Sequence, residues 1–315
     1  MSKKHEVPEV DIVIDEEAGV IREVKPEKTR SKKGHERRVN TSIYVILILM
    51  SIIWLAPFFF LVFQSFRSYA TESGGMVDYL LPKQWSLDNY KWLLESQESN
   101  FLRWYGNTLI IAIFSAAIQT IMVLSVSYAL SRLRFRGRKL IMNVVLVLGM
   151  FPGFLTMITL YFLLKQLGLT QTGAIPGLIL IYVASSGMGY YISKGFFDTI
   201  PKSLDESARI DGATRFQVFK KIIMPLAKPI VIYTILMAFM APWGDYVFAS
   251  YVAFGSEPNY NVAVGLYRWV NVADYQGYFT RFCAGGVLVA VPITALFLAL
   301  QKYYVEGVTG GAVKG

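Results

Sequence analysis

The sequence predicts an all-α membrane protein. It has six transmembrane helices, both termini cytoplasmic, and a short cytoplasmic helix hairpin between helices 4 and 5. Three observations predict it. Of 315 residues, 54% are hydrophobic and 17% are charged, where a soluble globular chain carries about 25% charged residues. The apolar residues gather into six runs that are almost free of charge. Lys and Arg crowd every second connection between those runs, which is the asymmetry that orients a chain in a bilayer. The net charge of +9 therefore reads as cytoplasmic loops, not as a nucleic-acid surface.

Residues 1–40 come first. They hold ten Lys/Arg and nine Asp/Glu with few aromatics, which reads as a disordered, solvated tail. The apolar run after them is too long for a signal-peptide core and lacks a small-residue cleavage site. The six-helix domain is expected over 41–305, followed by a C-terminal cytoplasmic tail over 306–315.

The first four runs are Val39–Phe66, Trp104–Ser131, Leu140–Leu164 and Gln166–Ser193, and the sixth is Phe282–Gln301. Each supplies the roughly 20 apolar residues that a spanning helix needs. The fifth, Pro229–Gly244, does so only if Asp245 is accepted in or near the bilayer and the run resumes to Ser256. Seven Lys/Arg lie between Lys25 and Arg38, five in "RLRFRGRK" after the second run, and seven between Lys194 and Lys228. The connection after the third run holds only Lys165, and the one after the fifth only Arg268 and Arg281. The first connection spreads four over Arg67–Arg103. Pro57, Pro152, Pro176, Pro242 and Pro292 fall within the runs. Each removes a helical hydrogen bond and tends to kink its helix.

The connection after the fourth run contains "DESARIDGATRFQVFKKIIMP", Asp205–Pro225. Ser203-x-x-Glu206 and Thr214-x-x-Gln217 both fit a capping box. Asp211-Gly212 is a turn signal between them, and Pro225 closes the second helix. Phe216, Phe219 and Ile223 recur at helical spacing. The expectation is a rigid bent pair of helices. It is either a capped connector resting on the bundle or a docking knob that transmits a push to the helices beside it. A DNA-reading helix-turn-helix fits poorly, because such a module is normally a free domain.

Catalysis by this chain is not expected. Its only histidines, His5 and His35, lie in the tail, and its single cysteine, Cys283, cannot form an intrachain disulfide. No metal site is expected. No G-x-x-x-x-G-K-[ST] phosphate loop is present, so ATP-driven work would need an ATPase on another chain.

The stretch Glu206-Ser207-Ala208, then Gly212, then an apolar segment ending at Pro225 resembles the cytoplasmic EAA loop of ABC importer permeases. It departs from that pattern at Ser207, where the family has alanine. "SYALSRLRFRGRK", "MFPGFLTMITLYFLLKQLGL" and the terminal "EGVTGGAVKG" resemble the MalG-type permeases of maltose-type transporters, and the likeness covers roughly residues 40–315. The resemblance implies a permease subunit of a carbohydrate importer that forms half of a pore in a bacterial or archaeal cell membrane. It implies a second homologous permease, a cytoplasmic ATPase dimer, an extracellular sugar-binding protein and membrane lipid as partners, with no nucleic acid. It implies no cofactor on this chain, since the partner ATPase hydrolyses the ATP. The substrate class it implies is a maltose-type or other oligosaccharide.

Residue by residue, the resemblance assigns the ATPase-subunit interface to Leu204, Asp205, Glu206, Ser207, Ala208, Arg209, Ile210, Asp211, Gly212, Ala213, Phe216, Phe219 and Pro225. Gly310, Gly311 and Lys314 of the C-terminal tail would approach the same partner. Met150, Phe151, Pro152 and Asp245 are expected at the gate or pore, though Asp245 could instead sit wet at the outer interface. Gly265 and Tyr267, in "NVAVGLYRW", resemble a loop segment that meets the binding protein. Trp243, Tyr246 and Tyr251 read either as sugar-stacking rings or as an interfacial aromatic belt. Two other classes compete. An ion-coupled secondary transporter would show internal repeats or paired broken helices, and a non-transporting membrane scaffold would need neither kinked helices nor a docking hairpin.

Overall fold

The computed structural model describes residues 12–15, 20–23, 30–69, 79–150, 153–271 and 277–310. The chain divides into two compact units, Met1–Phe59 and Phe60–Gly315.

In the first unit, strand β1 (Ile12–Asp15) pairs antiparallel with β2 (Val20–Glu23), with Ile12 opposite Glu23 and Asp15 opposite Val20. Part of the stretch expected to be disordered is therefore paired. The cause is local, since "IVID" and "VIR" are rich in β-branched residues that favour the pleated backbone. Helix α1 (Arg30–Ser65) begins inside that stretch and runs across the boundary between the units. From Ile43 to Phe59 every side chain of α1 is exposed, although the helix is strongly apolar.

The second unit is helical. Helix α2 is Asp88–Glu95, α3 Phe101–Arg132, α4 Arg138–Gly149 and α5 Gly153–Gln166. A 3-10 turn, Gln171–Gly173, leads into α6 (Ala174–Ala184) and then α7 (Gly187–Thr199). Helices α8 (Ser203–Ile210) and α9 (Arg215–Val218) follow, then a π-helical turn, Phe219–Ile223, and a last turn, Met224–Leu226. Helix α10 is Lys228–Gly244, α11 Val247–Val252, α12 Val262–Asn271 and α13 Phe279–Gly310. Helix α13 thus continues through the first residues of the expected C-terminal tail.

Helix α3 is the central post, packed by α6, α7, α10 and α12. Its sequence suits that place. Ala112, Ser115 and Ala116 are small and buried, which lets neighbouring backbones approach. Of its buried hydroxyls, Thr108 Oγ1 donates within the helix to Trp104 O (2.8 Å) and Ser127 Oγ donates to Tyr190 O of α7 (3.0 Å), whereas Ser115 Oγ and Thr120 Oγ1 make no hydrogen bond among the described residues. At one end, buried Asn89 of α2 donates to Ser65 O and Arg67 O, and accepts from Thr280 Oγ1 of α13. Cys283 is buried as a small apolar residue.

Among the described residues, four helical stretches are long and apolar enough to cross a membrane: Asn40–Ser65, Phe101–Arg132, Gln171–Thr199 and Phe279–Tyr303. A fifth candidate is the pair Arg215–Leu226 and Lys228–Gly244, bent by 82°. Within the expected third span, Leu140–Leu164, α4 ends at Gly149 and α5 begins at Gly153, neither long enough alone. Phe151 and Pro152 themselves lie outside the described residues.

Candidate functional site

The hairpin between α7 and α10 forms as a rigid unit through two local devices. The first is the end of α8. Ala213 N–H donates to Ala208 O (2.9 Å) and Gly212 N–H to Arg209 O (3.1 Å), which is the Schellman pattern that satisfies a helix C-terminus. Gly212 sits at φ +85°, a left-handed conformation that glycine adopts without a Cβ penalty. The second is the start of α9. Thr214 Oγ1 accepts from Gln217 N–H (3.3 Å), and Gln217 Oε1 accepts from Thr214 N–H (2.7 Å). This capping box is the one that the spacing predicts.

The other expected capping box does not form. Lys202 already has helical dihedrals and accepts from Glu206 N–H (3.1 Å), so Ser203 lies inside the first turn and caps nothing. Phe216, Phe219 and Ile223 also do not share a face. Ile223 is fully buried, Phe219 packs on Tyr128 with ring centroids 4.7 Å apart, and Phe216 is 68% exposed. The turn Phe219–Ile223 closes as a π-helix, whose wider winding breaks the 3.6-residue register.

The hairpin therefore has two faces. Inward, Val218, Ile223 and Ala227 join Leu124, Phe197 and Ile200 in a small core, with Ala208, Ala213 and Met224 packed against it. Outward stand Leu204 (41% exposed), Ile210 (86%) and Phe216 (68%). Glu206, Ser207, Arg209, Asp211, Gly212 and Pro225 are exposed as well. Of the thirteen residues expected at the interface, Phe219, Ala208 and Ala213 thus serve the inner face and Asp205 the junction.

Asp205 ties the hairpin to the bundle. Its Oδ2 lies 2.9 Å from Arg132 Nε at the last turn of α3, and the Arg132 side chain is only 4% exposed. Arg132 Nη2 also donates to Ile200 O (2.8 Å). Burial raises the Asp205 carboxyl above the usual carboxylate range, Arg132 pulls it back in part, and Glu206 adds to the rise. In the sequence, Arg132 reads only as one charge of a basic loop. Its position opening "RLRFRGRK", directly after an apolar span, was the available signal.

Asp245 forms a joint between α10 and α11. Its Oδ1 accepts from Phe248 N–H (3.0 Å), capping α11, and its Oδ2 accepts from Tyr182 Oη (2.6 Å). Buried Asn261 donates to Pro242 O (3.1 Å) and Asp245 O (2.7 Å), carbonyls left without helical partners by the break. Asn261 and Tyr182 were not picked from sequence. Asp245, Tyr182, Ser185, Thr156 and Met157 border a cavity of about 320 Å³. Met150, at the end of α4, is 77% exposed. Trp243 is buried against Tyr105 and Phe239, so it has no ring face free for a sugar or an interface.

Gly265 requires a correction. It is buried in α12 under Trp104, and a Cβ there would fall 1.9 Å from Trp104 Cε3. It is a packing glycine with no surface to offer a binding protein. Tyr267 is 40% exposed and lies against Tyr246, with ring centroids 3.8 Å apart. Gly311 and Lys314 lie outside the described residues.

Residues 121–309 match the family model described as binding-protein-dependent transport system inner membrane component. The chain is 36% identical over 275 residues to the galactooligosaccharides transport system permease protein GanQ of Bacillus subtilis (strain 168), covering 86% of this chain and 94% of that one. It is 37% identical over 284 residues to the maltodextrin transport system permease protein MalD of Streptococcus pneumoniae, covering 89% and 98%. Its backbone matches a chain of a bacterial ABC transporter involved in the import of the acidic polysaccharide alginate, with TM-score 0.70 and 25% identity over 89% of this chain and 100% of the other.

Proposed function

The chain belongs to the family of binding-protein-dependent transport system inner membrane components, and from that membership we propose that it couples one half of an oligosaccharide pore to a cytoplasmic ATPase. It is a permease subunit of a sugar ABC importer of the maltose and oligosaccharide type. Its substrate is a maltose-type or related oligosaccharide, in keeping with the galactooligosaccharide and maltodextrin permeases it resembles. It works in a bacterial cell membrane with a second permease, an ATPase dimer that hydrolyses the ATP, and an extracellular sugar-binding protein.

In this reading the membrane is crossed six times and both termini are cytoplasmic. Helices α4 and α5 cross together as one broken span, and α10 with α11 as another. Broken helices are tolerated in lipid where protein satisfies the freed backbone, as Asn261 does beside Pro242 and Asp245. Asp245 and Tyr182 face the pore side, with Met150, Phe151 and Pro152 at the gate. The exposed apolar faces of α1 and α13 meet lipid or the partner permease.

The observation that carries the reading is the hairpin. It is stiffened at both ends of its turn, anchored by Asp205 to α3, and exposes Leu204, Ile210 and Phe216 at its outer end. Exposed large apolar residues on a capped polar element mark a protein-binding surface. A hinge-free anchor lets a force on that surface reach α3, the post on which α6, α7, α10 and α12 pack. The test is an Ile210→Glu/Phe216→Glu double variant. Both side chains are exposed, so the chain is expected to stay folded in the membrane while ATPase co-purification and sugar uptake are lost. Retention of both would sink the reading.

A further inference from the structure

A cleft of about 390 Å³ opens between the end of α3, the connection to α4, and the hairpin. Arg132, Arg134, Arg138, Lys202, Arg209 and Arg215 border it. Only Asp205 and Glu206 oppose them, and Asp205 is already engaged by Arg132. The cleft is therefore strongly cationic.

Two buried Arg132 nitrogens, Nε and Nη1, and the facing Asp205 Oδ1 make no hydrogen bond among the described residues. The Arg132 side chain is 4% exposed, Nη2 is spent on Ile200 O, and Nε faces Asp205. Its Nη1 is buried and has no hydrogen-bond partner among the described residues. A buried guanidinium nitrogen without a partner costs stability. An anion oxygen in the cleft would satisfy it, and guanidinium groups match phosphate geometry well.

The surroundings favour one source of phosphate. The rim at Arg134 and Arg138 continues into hollows shared with Lys139, Phe135 and Leu140, and Phe135 and Leu140 are 43% and 67% exposed. Basic side chains beside exposed apolar ones, at the end of a membrane-spanning helix, suit a charged headgroup with its acyl chains alongside. We propose that this cleft binds the phosphate of an anionic phospholipid headgroup, with Arg132 Nη1 as the buried donor and Arg134 and Arg138 as the outer clamp. The site rests on the reading that α3 and α4 enter the bilayer, but not on ATPase docking or transport.

The test is native mass spectrometry of the full-length chain, purified in detergent with equal phosphatidylglycerol and phosphatidylcholine. The wild type is expected to retain phosphatidylglycerol preferentially. Arg134→Gln and Arg138→Gln each should reduce that retention roughly tenfold, the effect of one lost charge-assisted contact. Arg136→Gln removes the same charge from the same loop but does not border the cleft, so it should leave retention unchanged. Arg132→Gln should abolish retention, and the two rim variants decide the matter if it does not fold. Equal losses in the Arg134, Arg136 and Arg138 variants would show a diffuse surface field and overturn the site. No preference for phosphatidylglycerol in the wild type would overturn it as well. If inorganic phosphate alone is retained and phosphatidylglycerol is not, the lipid assignment falls. Because retention of lipid is read without ATPase or sugar, failure here leaves the transport reading standing.

Discussion

Arg132 Nε lies 2.9 Å from Asp205 Oδ2, joining the last turn of the central helix to the first helix of the outer hairpin. Both side chains are largely withdrawn from water, at 4% and 16% exposure. Removing one partner then leaves the other buried and unpaired. Asp205→Ala is expected to destabilise the chain by about 2–3 kcal/mol, seen as a lower melting temperature of the purified protein. Arg132→Met/Asp205→Leu removes both charges and should recover most of that loss. If the pair transmits movement, the double variant stays stable but does not restore uptake.

Gly212 has open space around it. A Cβ there would meet nothing within 4 Å, yet its φ is +85°. Any cost of substitution is therefore conformational, not steric. Gly212→Ala should cost about 1–2 kcal/mol locally, and Gly212→Asn clearly less, because asparagine tolerates the left-handed region. Hydrogen exchange at the Ala213 amide, which closes the Schellman pattern, reads this directly. Equal protection in the wild type and both variants would refute the conformational account.

Gly265 is the opposite case. A Cβ there would fall 1.9 Å from Trp104 Cε3 and 2.3 Å from Trp104 Cδ2. Trp104 is itself fixed, because its Nε1 donates to Glu257 O at 3.0 Å. Gly265→Ala should therefore cost at least about 2–3 kcal/mol through overpacking, with reduced yield of folded protein. Adding Trp104→Phe should relieve part of it. A Gly265→Ala protein as stable as the wild type would contradict this packing.

The contrast between these two glycines shows what was legible in the sequence. Gly212 announced itself because turn chemistry is local: Asp-Gly, the following Thr-x-x-Gln and the proline lie within fifteen residues. The apolar runs were legible for the same reason, and most became helices. Gly265 and Trp104 are far apart in the chain, and no local pattern says that one lies under the other. Arg132 and Asp205 are likewise separated by helices α4 to α7, so the pairing that turns a surface charge into an anchor emerges only from the fold.

Asp245 occupies a place where structure and transport can be separated by experiment. Its Oδ1 caps α11 through Phe248 N–H, and its Oδ2 accepts from Tyr182 at 2.6 Å. Asp245→Ala removes the cap and strands the Tyr182 hydroxyl, so it should cost about 2–3 kcal/mol. Asp245→Asn keeps an oxygen for the cap and can still meet Tyr182, whose hydroxyl both donates and accepts. It removes only the charge, and stability should change by about 1 kcal/mol or less. The comparison of uptake then isolates the charge. On the proposed pore-side reading of this carboxylate beside the 320 Å³ cavity, Asp245→Asn is expected to lower sugar uptake while melting near the wild-type temperature. Tyr182→Phe should resemble it less closely, costing about 1 kcal/mol and leaving the carboxylate in place. Wild-type uptake by Asp245→Asn would reduce the residue to a helix cap, and the pore-side reading of this joint would then be wrong.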